Sequence, residues 1–213
     1  MKIEEITARV FHVNMHTQEE LGSTFLRFQE HFESPEFRGK VFTLEEYKKW
    51  YIANSPKGKE KGEFTYYTDW RGFNIPSTIL MPFYQGRFDP LSEKERSLLD
   101  SFKAKSHPFY IIGTFGDVKA DDLNHEIAHG LFFTNRDYRE ETCRILKEVS
   151  QEIRERINGF LQHSGGYHPT VWEDETHAYM THNLDILKKK AGIEPDSVAE
   201  IASRLNLLFN QYY

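Results

Sequence analysis

The sequence predicts an α+β fold, with a small mixed N-terminal part over residues 1–106 and a mainly helical C-terminal part over 107–213. Three observations carry this expectation. The N-terminal part mixes β-rich runs with stretches whose apolar residues recur every three or four positions. A compact apolar run at 108–115 reads as a buried strand. Beyond it the chain is a succession of amphipathic helical patterns with short breaks. The chain's 213 residues are enough for one domain with a sizeable core. Hydrophobic residues at 38% and charged residues at 28% suit a soluble globular chain, and 13 Gly with 8 Pro exclude a low-complexity or collagen-like one.

Residues 3–13, Ile3-Glu4-Glu5-Ile6-Thr7-Ala8-Arg9-Val10-Phe11-His12-Val13, are a β-rich opening. Leu21, Phe25, Phe28 and Phe32 define an amphipathic helix over 17–33 that Ser34-Pro35 stops. Thr43-Leu44-Glu45-Glu46 has the form of a capping box opening a helix to about Ile52. Residues 54–62 predict a solvated polar loop, and 64–84 an irregular stretch with one or two strands. Ser92-Glu93-Lys94-Glu95 starts a helix to Ala104, with Leu98, Leu99 and Phe102 on its apolar face. Strand 108–115 follows, then helices over 121–134, 137–162, 170–190 and 195–210, with a loop at Ser164-Gly165-Gly166-Tyr167.

A net charge of -6 disfavours phosphate backbones, so nucleic acid is not an expected partner. No run approaches the ~20 apolar residues of a membrane helix. Met1-Lys2-Ile3-Glu4-Glu5 lacks the apolar core of a signal peptide, and the single Cys143 excludes a disulfide framework. The expected compartment is the cytoplasm.

The segment that carries chemistry is Asn124-His125-Glu126-Ile127-Ala128-His129-Gly130, an H-E-x-x-H inside a predicted helix. Residues four apart lie ~40° apart around a helix and one turn along it, so both imidazoles can face one metal ion. Glu126, ~100° away, stands beside that ion, where it can take a proton from water acidified by the metal to a pKa of ~7. Leu123, Ile127 and Leu131 fall on the opposite face and would bury the helix in the core. A catalytic zinc needs a third protein ligand. Downstream, Trp172, Glu175, Tyr179, His182 and Ile186 share one helical stripe. A carboxylate amid that apolar stripe needs compensation, from a metal or from an Arg partner. Glu175 is therefore the candidate, ahead of Glu173 at the stripe's edge and His177 on the far side.

These motifs resemble those of zincin metallopeptidases of the gluzincin kind. In that family one helix carries H-E-x-x-H, here His125, Glu126 and His129, and a second supplies E-x-x-A, here Glu175-Thr176-His177-Ala178. The resemblance covers about residues 108–180. It implies a single zincin-like domain over 1–213, Zn2+ held by His125, His129 and Glu175, Glu126 as general base, and peptide or protein substrates. It also implies that strand 108–115 could lie along a bound peptide. The family's acidic or amide residue after E-x-x-A, which orients a zinc-bound histidine, is replaced by Tyr179. The upstream cysteine ligand of peptide deformylases has no counterpart, since Cys143 lies downstream and reads as structural.

Tyr167 and His168, on the Gly loop before the glutamate helix, are candidate transition-state stabilisers, set against an ordinary turn with solvated side chains. His182, ~10 Å along the axis from Glu175, lines the cleft or fills the core, and Tyr179 is a second cleft-lining candidate. Trp50-Tyr51 and Trp70-Arg71-Gly72-Phe73-Asn74 fill a core more readily than they wall a substrate site. The apolar tail Phe209-Asn210-Gln211-Tyr212-Tyr213 is suited to docking back on the body or on a partner. Two other functions fit the same residues: a non-catalytic zincin-like regulatory or binding protein, and a metal-dependent hydrolase of a non-peptide amide.

Overall fold

The computed structural model describes residues 1–165 and 167–213 and divides into two compact units, Met1–Asp117 and Val118–Tyr213. The architecture is mixed α+β. The strand at 108–115 belongs to the first unit, so the structural division falls about ten residues after the change in sequence texture near 107.

In the first unit the β-rich opening is a hairpin of β1 (Lys2–Thr7) and β2 (Val10–Met15). Arg9 makes the turn in the left-handed region at φ 63. Among the described residues one sheet has the order β1-β2-β4-β3, where β3 is Gly72–Pro76 and β4 is Tyr110–Phe115. β4 pairs parallel with β2 and antiparallel with β3. It is buried on both faces, with Tyr110, Ile111 and Ile112 all enclosed, which is why it reads as a continuous apolar run. Because both its edges are paired, β4 cannot accept an extended peptide alongside it. That corrects the substrate-binding role the resemblance implied for this strand.

Helix α1 (Gln18–Glu33), capped by Thr17, lays Leu21, Phe25 and Phe28 into the core. The Phe25 ring stacks on Phe73 at 5.7 Å and also sits over Gly113, where an added Cβ would come within 2.6 Å of it. Gly113 therefore admits the aromatic ring that seats the helix on the sheet. Helix α2 (Leu44–Asn54) opens on the predicted capping box of Thr43 and Glu46. The expected loop at 54–62 is instead largely a one-and-a-half-turn helix, α3 (Pro56–Lys61). Ser55 caps it, Pro56 stands at its first position, and Gly62 ends it at φ 67. Of the aromatics expected in the core, Tyr51 and Phe73 are buried and Trp50 packs partly buried against it, whereas Trp70 is 53% exposed. The short α4 (Met81–Tyr84) precedes α5 (Glu93–Phe102), which starts at the expected Ser92 capping box.

Glu95 of that box has a second task. Buried Arg27 of α1 donates from Nε to Glu95 Oε1 and from Nη2 to Glu95 Oε2, both at 2.6 Å. Its Nη1 donates to the Phe88 carbonyl at 2.9 Å. The fork ties α1, α5 and the chain between them through one guanidinium.

Every element in the described residues of the second unit is a helix or helical turn. Helix α6 (Ala120–Thr134) opens with Asp121 and Asp122 in its first turn, as expected. Asn135 caps α7 (Arg136–Leu146) by accepting from the Tyr138 amide at 3.1 Å. The single helix expected over 137–162 is two. The chain turns at Lys147–Val149, Val149 buries its side chain, and Ser150 caps α8 (Gln151–Phe160). Leu161–Gly165 then forms a π-helical turn that takes in Ser164 and Gly165 of the expected loop, and Gly166 of that loop lies outside the described residues. The expected 170–190 helix is likewise divided, into α9 (Trp172–His182) and α10 (Leu184–Ala191), by Asn183. Helix α11 (Ala199–Tyr212) closes the unit, and the tail docks on the body: Phe209 is buried and Tyr212 packs edge-on to Tyr138 at 5.5 Å. No described helix is long and apolar enough to cross a membrane.

Removing one partner of the Arg27–Glu95 pair leaves a buried charge uncompensated. Arg27→Ala should lower unfolding stability by about 3–5 kcal/mol in urea denaturation. A loss below about 1 kcal/mol would show that the pair does not clamp the two helices.

Candidate metal centre

Helix α6 buries Ile127 and Leu131 and half-buries Leu123, which turns the opposite side of the helix, with His125 and His129, toward α9. The two imidazoles meet edge to face, with ring centroids 4.9 Å apart and Nε2 atoms 3.2 Å apart. Glu175, on the first turn of α9, brings Oε1 to 3.8 Å from His129 Nε2. His125, His129 and Glu175 thus form a buried group whose ligand atoms all lie within 4.8 Å of one another, a group able to hold a metal ion. Zinc bonds nitrogen at ~2.0–2.1 Å, so two donors on one tetrahedral ion lie about 3.3 Å apart. The Nε2 pair already has that separation, and the carboxylate is about half an ångström wider.

Each ring is also held from behind. His125 Nδ1 donates to Asn183 Oδ1 at 2.6 Å, and His129 Nδ1 donates to Asp174 Oδ1 at 2.9 Å. An oxygen acceptor at Nδ1 fixes the proton there, which leaves Nε2 as the atom each ring could offer to a metal once it is neutral. Asp174 is shared: its backbone carbonyl accepts from Nδ1 of fully buried His177 at 2.7 Å. His177 in turn meets the Tyr138 hydroxyl through Nε2 at 3.2 Å and stacks on Phe132. The far-side histidine is therefore a buried brace for the carboxylate that orients His129.

The charges are uneven. Burial, then the neighbouring His129 charge, pushes His125 down to about 3. Burial also opposes charge on His129, but the Asp174 and Glu175 carboxylates outweigh it and lift that ring to about 10. Asp174 is held well below the usual carboxylate range by His129, against the cost of its burial. These shifts favour a proton on His129 Nε2, which would donate to a neutral His125 Nε2. Glu126 lies near enough for its charge to help raise both His129 and Tyr179.

The remaining candidates divide. Tyr179 is not the orienting acceptor; its ring stands edge-on to His125 at 4.9 Å and to Phe160 at 5.4 Å, and it hydrogen-bonds Tyr167. Tyr167 is thereby tied to the cluster. His168 is exposed and caps the turn Pro169–Val171, its Nδ1 2.9 Å from Thr170 Oγ1. His182 packs on Phe209 of α11 at 4.4 Å, with Nε2 enclosed and without a hydrogen-bond partner, so its ring is core rather than cleft wall. The Cys143 thiol is raised by burial and by Glu173, which fits a structural residue and not a nucleophile. Asp174 and Asn183 were missed from sequence, and His177 was weighed there only as a ligand and set aside. Asp174 stands one residue before Glu175 and three before His177, a spacing that puts it beside His177 on the helix.

Against protein-family models, curated proteins and solved structures, the chain gives no match.

A metal ion must displace the His129 proton. Below about 10 that ring is mostly protonated, so raising the pH frees the ligand. Zinc affinity should therefore rise about tenfold per pH unit between roughly pH 6 and 8, with about one proton released per ion. Calorimetry in two buffers of different ionisation enthalpy measures this, and a pH-independent affinity would contradict the charged His129.

Proposed function

We propose that the protein is a zinc-dependent hydrolase with a zincin-like, gluzincin-type site, acting as a metallopeptidase on peptide or protein substrates in the cytoplasm. One observation carries the reading: the paired Nε2 atoms, each backed by an oxygen acceptor at Nδ1, with Glu175 alongside. His125, His129 and Glu175 would hold the ion, and the intervening Glu126 is unneeded for a structural metal. Zinc, when bound, supplies Lewis acidity that polarises a carbonyl and brings water's pKa to ~7.

The chain's own residues do the rest. Glu126 takes the proton of the attacking water and passes it to the leaving amine. Asp174 keeps His129 in one tautomer and balances charge at the centre. Tyr179 holds the face of His125, and its partner Tyr167 is a better-supported oxyanion donor than His168, which is engaged in capping. A second reading, hydrolysis of an amide outside an extended peptide, is favoured by one finding. Strand β4, on which a peptide was expected to lie, has both edges paired.

Glu126→Gln separates base from ligand. It should lower kcat/KM by about 100- to 10,000-fold while zinc content stays near one per chain. Quenched fluorescent peptides and small N-acyl amides, assayed in parallel, would distinguish the two substrate classes. Hydrolysis by the variant at the parent rate would refute the mechanism.

A further inference from the structure

Asn183 sits where a helix cap belongs and does not cap. Its backbone lies outside the helical region at φ -136, ψ 48, between α9 and α10. Its amide N–H closes α9 on the Tyr179 carbonyl at 2.9 Å, and its carbonyl accepts from the Ile186 amide at 3.0 Å, starting α10. An asparagine in this position ordinarily turns its side-chain oxygen onto the amides of the new helix. Here α10 has no side-chain cap. The Asn183 oxygen instead accepts from Nδ1 of His125, 58 residues away in sequence, at 2.6 Å, with the residue 9% exposed. A one-residue interruption of an otherwise continuous helical pattern thus aims one amide at one imidazole.

From this geometry we infer that Asn183 is the positioning residue for His125, presenting its Nε2 to a divalent cation held with His129 and Glu175. The inference rests on the metal-site reading and deepens it. A carbonyl oxygen can only accept, so His125 must carry its proton on Nδ1 and keep the Nε2 lone pair free. Asn183 does this without adding charge, whereas His129 is backed by the Asp174 carboxylate. The place the gluzincin pattern gives to the residue after E-x-x-A is held by Tyr179, which packs against the ring of His125. The orienting acceptor comes four residues later, at the helix break.

The test is metal affinity in the full chain, read by competition of zinc with a chromophoric chelator and by the visible spectrum of the cobalt-loaded protein. Asn183→Ala should weaken zinc binding about 10- to 100-fold and alter the cobalt spectrum. Asn183→Asp keeps an acceptor of the same length and should restore most of the affinity. Asn183→Ser, a good helix cap too short to reach His125, should not. Wild-type affinity in Asn183→Ala, or rescue by Ser as complete as by Asp, would overturn the inference, the latter because it would make capping the residue's role. Absence of zinc binding by the parent protein would instead overturn the metal-site reading on which the inference stands.

Discussion

Two imidazole nitrogens held 3.2 Å apart in a buried place are the constraint around which the second unit is arranged. Neither would keep that position unaided, because two lone pairs facing each other repel and two charged rings repel more strongly. The protein resolves this with asymmetry. Asp174 and Glu175 load their charge onto His129, while His125 is kept neutral against Asn183. The same asymmetry would suit a divalent cation, which would replace the proton between the rings and meet two neutral nitrogens and a carboxylate.

The packing serves that constraint. Helix α9 lies against α6, α7, α10 and α11, so carboxylates, brace and acceptor are carried on or just beyond one well-supported element. His177 is wholly enclosed, between Phe132 and Tyr138, and bonds Asp174 from behind. Phe209 returns from the C-terminal helix to cover His182 at the end of α9. A rigid second layer of this kind limits how far ligand side chains can stray, which is what metal affinity and water activation both need.

Much of the fold was legible in local chemistry. The Thr43 and Ser92 capping boxes, the three-and-four spacing in α1 and the apolar run of β4 each fall where the pattern puts them. The grouping of His125, His129 and Glu175 was legible too, because each obeys helical geometry within a single element. Single-residue interruptions were not. Periodicity cannot see that Asn183 leaves the helical region for one residue, or that Val149 turns inward before Ser150 starts afresh. Nor does a helical wheel reveal that β4 becomes an interior strand, since pairing on both edges is a property of the sheet and not of the run. The acceptors behind the histidines were hidden for a related reason: each lies at least 45 residues from its ring, and only tertiary packing brings them together.

The most direct test is a crystal structure of the zinc-soaked protein with diffraction recorded on both sides of the zinc absorption edge. One strong anomalous peak is expected within about 2.0–2.2 Å of His125 Nε2, His129 Nε2 and a Glu175 oxygen. No peak there, or zinc bound only by surface side chains, would contradict it.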